Sequence, residues 1–479
     1  GAQEDDDMGD RSGSAYIFIW EADHWSEDTK LVAPDGTPGS QFGYSVAIAG
    51  DYVIVGAFRD TEHGNQAGAA YIWKRVGTTW QYVQKLQPTI PEANSEFGNA
   101  VALTGDYAVV CAHRAQHLGN MTGAVYVFER NGSQWIQDAK IVEDSLSPSG
   151  FFGCDAAISG NNLIVGANKD ATSGFLSGAA YVYLHDGVNW NLQQKLLPSD
   201  MMDNIGFGKS VAIDSNCAII GAPVADGLAP DTGAAYVFYS SAGSWTQTQK
   251  LSSDPPSPDE GFGWAVDLCD GYIAVGAPWF SSQTVNFAGK MVVFTESGSA
   301  WLGGQGFTAS DLNVNAQLGM SVSVQMDEAI GGAYGAEHEG SFTGAAYVFR
   351  DFTSATPTPT PTPSSITYDI DLYDTNLRSG DVFRLTRKYF NPFAAQPVDE
   401  YILLDVYGSY WFWPGWSMTP NWAMWTCPAA TGGGDVILEF TWPMVDGTVE
   451  DLRFWGAFLA GGTTQLIVYD KVTWGYSNK

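Results

Sequence analysis

The pair Phe-Gly returns at a fixed interval. It stands at Phe42-Gly43, Phe97-Gly98, Phe152-Gly153, Phe207-Gly208 and Phe262-Gly263, each 55 residues after the last, with a degenerate sixth copy at Leu318-Gly319. A Gly-Ala step follows at Gly56-Ala57, Gly166-Ala167, Gly221-Ala222, Gly276-Ala277 and Gly332-Ala333, with Cys111-Ala112 as its variant. Tyrosines keep the interval at Tyr16, Tyr71, Tyr126, Tyr181, Tyr236 and Tyr347, and tryptophans at Trp25, Trp80, Trp135, Trp190, Trp245 and Trp301. A long period this regular restricts the chain to an array of one supersecondary unit, because each copy buries its apolar face only against its neighbours.

Residues 42–96 serve as the type repeat. The stretch YSVAIAGDYVIVGAF holds two apolar runs split by Gly50-Asp51, residues that tolerate the positive φ of a tight hairpin. The stretch GAAYIWKRVGTTWQYVQKL holds two more, broken near Gly77. Alternation with β-branched and aromatic residues marks all four as strands, so the unit is a four-stranded antiparallel meander. Such sheets repeated radially make a β-propeller; a solenoid would need shorter repeats with parallel stacking.

The pattern FGYSVAIAGDYVIVGA…GAAYIW resembles the FG-GAP repeat, the unit of the integrin α-subunit propeller and of many secreted bacterial proteins. The resemblance covers residues 1–352 and implies an all-β, seven-bladed propeller that acts as a binding and adhesion scaffold. Six copies carry the Phe-Gly half, whereas seven carry the half from Gly-Ala to Tyr, since Gly1-Ala2 lies 55 residues before Gly56-Ala57. One blade is therefore incomplete. The last blade could borrow its outer strand from the N-terminal segment, as propellers often close, or a seventh blade would lack its two innermost strands; neither closes cleanly. Three explanations stand open: an upstream segment missing from the sequence, a nonstandard closure of the ring, or strands supplied by a second protomer through β-augmentation.

Residues 353–365 form a linker built on TPTPTPTP, which favours an extended polyproline II spacer of roughly 25 Å. Residues 366–479 lack the repeat and hold about seven strand candidates, which fits a β-sandwich. They also resemble a C-terminal module found after Thr-Pro linkers in secreted bacterial proteins, a module without an assigned activity. Its aromatic cluster around Trp411, Trp413 and Trp416 alternates along a strand, so one set fills a core and the other offers an interaction surface for a subunit or a glycan.

The net charge is −31, from 53 acids against 22 bases. A polyanion is a poor partner for nucleic acid or an anionic bilayer, and no run is long and apolar enough for a transmembrane helix. The five cysteines, Cys111, Cys154, Cys217, Cys269 and Cys427, form no C-x-x-C pair and read as small packed residues. GYSVA at Ser45 and GKSVA at Ser210 imitate a hydrolase nucleophile motif, but sister blades put Ala100 and Ala265 in that slot and no helix follows. Calcium is the more serious cofactor candidate. Its ligand candidates are Asp60 and Asp170 in loops between strands 2 and 3, and the series Asp311, Asn313, Asn315 between repeats. The competing reading is that these acids cap turn amides.

These features together predict a non-catalytic protein of the cell surface or extracellular matrix. It is expected to bind another surface protein through propeller loops, or to self-associate, with strand complementation as one route. A carbohydrate-binding surface protein is the alternative, and a polysaccharide-active enzyme a weaker one.

Overall fold

The computed structural model describes residues 1–350 except for 22–23, 118–120, 283–284, 299, 310, 312, 327 and 338–343, and beyond them the backbone of strands between 367 and 477. The chain divides into two units, Gly1–Thr353 and Ser354–Lys479. Every regular element among the described residues is a strand.

The first unit opens with a hairpin of β1 (Ala15–Glu21) and β2 (His24–Leu31). A four-stranded antiparallel sheet follows: β3 (Phe42–Ala49), β4 (Tyr52–Ala57), β5 (Ala69–Val76) and β6 (Thr79–Leu86), paired in that order. Ala49 faces Tyr52, so Gly50 and Asp51 make the expected two-residue turn, with Gly50 at φ 56°. The meander recurs as β7–β10 (Val101–Leu103, Tyr107–Ala112, Ala124–Asn131, Gln134–Ile141) and β11–β14 (Phe152–Ser159, Asn162–Ala167, Ala179–His185, Trp190–Leu196). It recurs again as β15–β18 (Val211–Asp214, Cys217–Ala222, Ala234–Ser241, Ser244–Leu251) and β19–β22 (Val266–Cys269, Tyr272–Ala277, Lys290–Ser297, Ala300–Phe307). A last sheet has three strands, β23 (Leu318–Gln325), β24 (Glu328–Ala333) and β25 (Ala345–Arg350). The fold is the expected propeller. Six sheets own a Phe-Gly strand, five of them complete, and the hairpin β1–β2 holds a further place as the outer half of a blade.

Neighbouring blades dock through backbone. Parallel bridges join Gly68 to Phe97, Gly123 to Phe152, Gly178 to Phe207 and Gly233 to Phe262. The Gly of the Gly-Ala step explains itself here: a Cβ on Gly221 would stand 2.0 Å from the carbonyl oxygen of Gly263, and one on Gly56 would stand 2.1 Å from that of Gly98. Gly98 and Gly263 in turn sit at φ 94° and 92°, a region that favours glycine. The core between blades is aromatic. Phe42, Phe97, Phe152, Phe207 and Phe262 are fully buried, and Phe42 meets Tyr71 edge to face at 5.5 Å. Such pairs add about 1 kcal/mol each beyond their buried area.

In the second unit β26 (Thr367–Leu372), β27 (Val382–Asn391) and β31 (Thr431–Thr441) form one antiparallel sheet. β28 (Gln396–Val406), β29 (Ser409–Phe412), β30 (Ala423–Cys427), β32 (Thr448–Ala460) and β33 (Leu466–Ser477) form another. Trp411 falls on β29. The side chains of Trp411, Trp413, Trp416 and Cys427, and the Thr-Pro linker, lie outside the described residues.

Candidate functional site: the half-built blade position

The hairpin β1–β2 continues the ring's repeat. Gly13 bridges Phe42 as Gly68 bridges Phe97, and a Cβ on Gly1 would collide with the Gly43 carbonyl oxygen at 1.7 Å. Gly1-Ala2 thus stands in the register of Gly56-Ala57, with Ala2 paired to Ser14 as Ala57 pairs with Ala69. On the other side the hairpin meets the last blade. The Arg350 guanidinium lies 3.3 Å from the centre of the Trp20 ring, and Arg350 is ion-paired to Glu328 at 2.6 Å. The same three repeat positions meet between the first two complete blades, where Lys74 and Arg130 both stack on Tyr52. Among the described residues β2 pairs with β1 alone, and the last blade does not borrow it.

This seventh place therefore has its two outer strands but, among the described residues, no inner pair, and the flanking walls are bare. Val46 and Ile48 on β3 are 48 % and 63 % exposed; the matching Val211 and Ile213 are 3 % and 6 % exposed. Ile330 and Val348 on the last blade are 41 % and 37 % exposed, whereas Ile54 and Ile72 are fully buried. Phe18 on β1 is 51 % exposed against 3 % for Phe128 and Phe238. In complete blades Ile54 and Ile72 pack on Val101 and Leu103 of the next blade. The exposed set is thus the two walls and floor of a slot shaped for two β-strands. Along it the inner edge of β1 pairs only through Ala2 and Ser14.

A second repeated cluster accounts for the candidate calcium ligands. Tyr71 Oη lies within hydrogen-bond reach of Asp35 at 2.8 Å and Asp60 at 3.1 Å, and the Lys85 ammonium lies 2.8 Å and 3.0 Å from the same carboxylates. Tyr181 donates to Asp170 at 2.9 Å, with Lys195 at 2.6 Å. Burial raises the Asp170 pKa, but Lys195 and the amide and hydroxyl of Thr172 outweigh it and hold the carboxyl below its ordinary range. Asp311 accepts from Tyr347 at 2.7 Å. A lysine ammonium or a tyrosine hydroxyl occupies each of these acids. Asn313 Oδ1 is buried with no hydrogen-bond partner among the described residues, and Asn315 takes a left-handed φ of 64°. Asp60, Asp170 and the Asp311 series belong to three different blades, and no grouping of three or more metal-ligating side chains occurs among the described residues.

The sequence analysis missed this lysine row, although its signal was present: Lys30, Lys85, Lys140, Lys195 and Lys250 each follow their tyrosine by 14 residues. The serines of the hydrolase-like motif are structural: Ser45 Oγ donates to the Gly98 carbonyl at 2.9 Å, and Ser210 Oγ to Asp155 at 2.9 Å. Cys111, Cys154, Cys217 and Cys269 are free thiols, the first and third buried. Burial pushes the Cys111 thiol well above its ordinary pKa.

Among solved structures, a Bacillus subtilis sporulation control protein, Spo0M, matches at 13% identity and TM-score 0.17, over 24% of this chain and 50% of its own. The chain thus spans half the length of that protein. A Phanerochaete chrysosporium exo-β-1,3-galactanase matches at 9% identity and TM-score 0.33, over 90% of this chain and 94% of its own. A Pyrococcus horikoshii acylaminoacyl peptidase matches at 10% identity and TM-score 0.36, over 80% and 57% respectively. Similarity this low carries no functional argument. No curated protein matches the chain. The FG-GAP repeat family matches residues 25–73, 80–128, 135–183, 190–238, 245–294 and 301–349, each match running from the outer strand of one blade through three strands of the next. With these six copies filling more than half of its length, the chain belongs to the FG-GAP repeat family.

Proposed function

We propose that this is a non-catalytic structural or adhesion protein of the cell exterior that associates with further copies of itself by strand addition at the half-built blade. The observation that carries the reading is the slot, whose apolar walls are buried or, at Ile158, partly buried in the complete blades and bare here. A second copy is the occupant the geometry favours. Among the described residues β1 has an open inner edge and β25 an unpaired outer edge. Two different edges on one molecule make a heterologous, head-to-tail contact, the kind that grows rings or filaments. An exterior location agrees with the usual setting of FG-GAP repeats. The acids most suited to chemistry are engaged in holding the fold, as the tyrosine–lysine pairs and the Ser210–Asp155 bond illustrate.

The test is light scattering of the full chain across a range of concentrations at physiological salt, where the high net charge is screened beyond about 8 Å. The expected mass rises with concentration, and paired Ile48→Lys and Val348→Lys substitutions hold it at the monomer. A wild-type chain that stays monomeric at every concentration refutes the reading.

A further inference from the structure

At the end of the ring where strand 1 begins and strand 2 ends, several cations gather on successive blades. The amide of residue 59 donates to the carbonyl of Ser40, that of residue 114 to Ser95, that of residue 169 to Gly150 and that of residue 279 to Glu260, at 3.3, 3.3, 3.2 and 3.1 Å. One repeated hydrogen bond thus sets these positions at equivalent places on their blades. They carry Arg59, Arg114, Lys169 and Trp279. Lys209, from the start of an inner strand, joins them: its ammonium lies 4.2 Å from the centre of the Trp264 ring, and Trp264 meets Trp279 edge to face at 4.8 Å. Lys169 stands 4.2 Å over Phe151, and Arg59 5.2 Å over Phe58.

In a chain with 53 acids and 22 bases, a cation usually finds a carboxylate. The outer-strand lysines do so in blade after blade: Lys30, Lys85, Lys140, Lys195 and Lys250 are all ion-paired. At the mouth, Arg59, Lys169 and Lys209 make no ion pair among the described residues, and only Arg114 has a carboxylate, Glu96 at 2.7 Å. The outer-strand lysines lie over a tyrosine ring and beside a carboxylate, whereas Arg59, Lys169 and Lys209 have, among the described residues, the ring alone. His113 lies among them: its Nε2 is 3.2 Å from Glu96, its ring meets at 5.0 Å the Phe151 that Lys169 covers, and the charges of Arg114, Lys209 and Lys169, from three successive blades, act on it against that of Glu96; its Nδ1 is buried with no hydrogen-bond partner among the described residues. Asp155, half-buried beside the group, accepts from Ser210 and the amide of Val211, both at 2.9 Å, and its charge also faces Lys209.

The geometry points to a binding site for an anionic glycan at this mouth, with Arg59, Arg114, Lys169 and Lys209 pairing its carboxylate or sulfate groups and Trp264 and Trp279 stacking on its sugar rings. Guanidinium and ammonium groups on aromatic platforms supply the charge contacts. Aromatic side chains with an apolar body and a polar edge suit the C–H faces and hydroxyls of pyranose rings. The interleaving of the two favours a charged sugar over an acidic peptide, which has no ring to stack. This site is independent of the slot at the half-built blade.

Isothermal titration of the full chain with hexagalacturonate, a sulfated hexasaccharide, a neutral hexasaccharide of glucose and a decaglutamate peptide tests it. Saturable binding of a carboxylated or sulfated oligomer is expected, at least tenfold tighter than the neutral one and weakened by salt. The double variant Lys169→Gln, Lys209→Gln should weaken it at least tenfold, and Trp264→Ala about fivefold, with the circular dichroism spectrum and melting temperature near those of the parent. Which anionic oligomer binds more tightly identifies the charge group. Failure of both to bind, equal binding of the neutral oligomer, tighter binding of decaglutamate, or a folded double variant that binds like the parent each overturns the site.

Discussion

Ile48 and Ile213 occupy the same repeat position, six residues after the Phe of the Phe-Gly pair or its equivalent, yet one is 63 % exposed and the other 6 %. Replacing each by Ala therefore measures directly whether the seventh position is open. Ile→Ala removes three carbons, worth about 0.8 kcal/mol each when fully buried. At Ile213 that is about 2 kcal/mol, and the cavity left between blades adds about 1–2 kcal/mol more. At Ile48 roughly a third of the side chain is covered, so the loss is about 0.8 kcal/mol with no cavity. The expected difference is about 2–3 kcal/mol. With m near 3 kcal/mol/M it separates the urea midpoints of the two variants by roughly 0.8 M. Equilibrium unfolding followed by tryptophan fluorescence, at protein concentrations low enough to prevent association, reads it. Equal midpoint shifts would mean that the β3 face is covered, and the argument from unequal exposure would fail.

Three further outcomes are expected. Gly221→Ala forces backbone apart where blades dock and should cost at least about 3 kcal/mol, whereas Gly132→Ala, with open space around it but a left-handed φ of 66°, should cost only about 1 kcal/mol; melting temperatures compare them. His113 is pulled down to about 4, first by burial and further by Arg114, Lys209 and Lys169, with Glu96 opposing. The unfolded chain then binds the proton that the native state refuses, so stability is full above the ordinary pKa of 6.5 and falls as pH drops from there towards 4, by at most roughly 3 kcal/mol; His113→Gln should flatten that part of the pH profile. Because Lys85 and Lys195 already neutralise Asp60 and Asp170, melting temperatures with calcium and with chelator should coincide; a rise with calcium would place an ion on these loops.

The ring was legible because its determinants are periodic. Phe42 and its copies, the tight Gly50-Asp51 turn and the Gly-Ala step each report a local backbone demand, and the repetition multiplies the signal. What escaped were relations between residues far apart in the chain. Trp80 Nε1 donates to Asp28 and Gln84 Nε2 to the Trp135 carbonyl, bonds that cross between blades and that no single repeat implies. The mouth cations were visible as Arg59, Arg114 and Lys169 at the repeat interval, but only the ring turns three separated residues into one surface. The bareness of Ile48 could not be read at all. Its local sequence is that of a buried strand residue, and only the place of β3 beside the half-built blade exposes it.

The carboxylate that serves Tyr71, Tyr181 or Tyr236 reaches it from either of two directions. Asp170 rises from within its own blade, whereas Asp200 arrives from the connection to the preceding one; around Tyr71 both kinds, Asp60 and Asp35, stand together. A chain with such duplication has slack. One acid can drift to another amino acid while the other keeps the hydroxyl and the ammonium satisfied, so in relatives the contact should persist where either position alone loses its acid. Variation at Asp35 alone or at Asp60 alone would then mark redundancy in the scaffold and not a change of role.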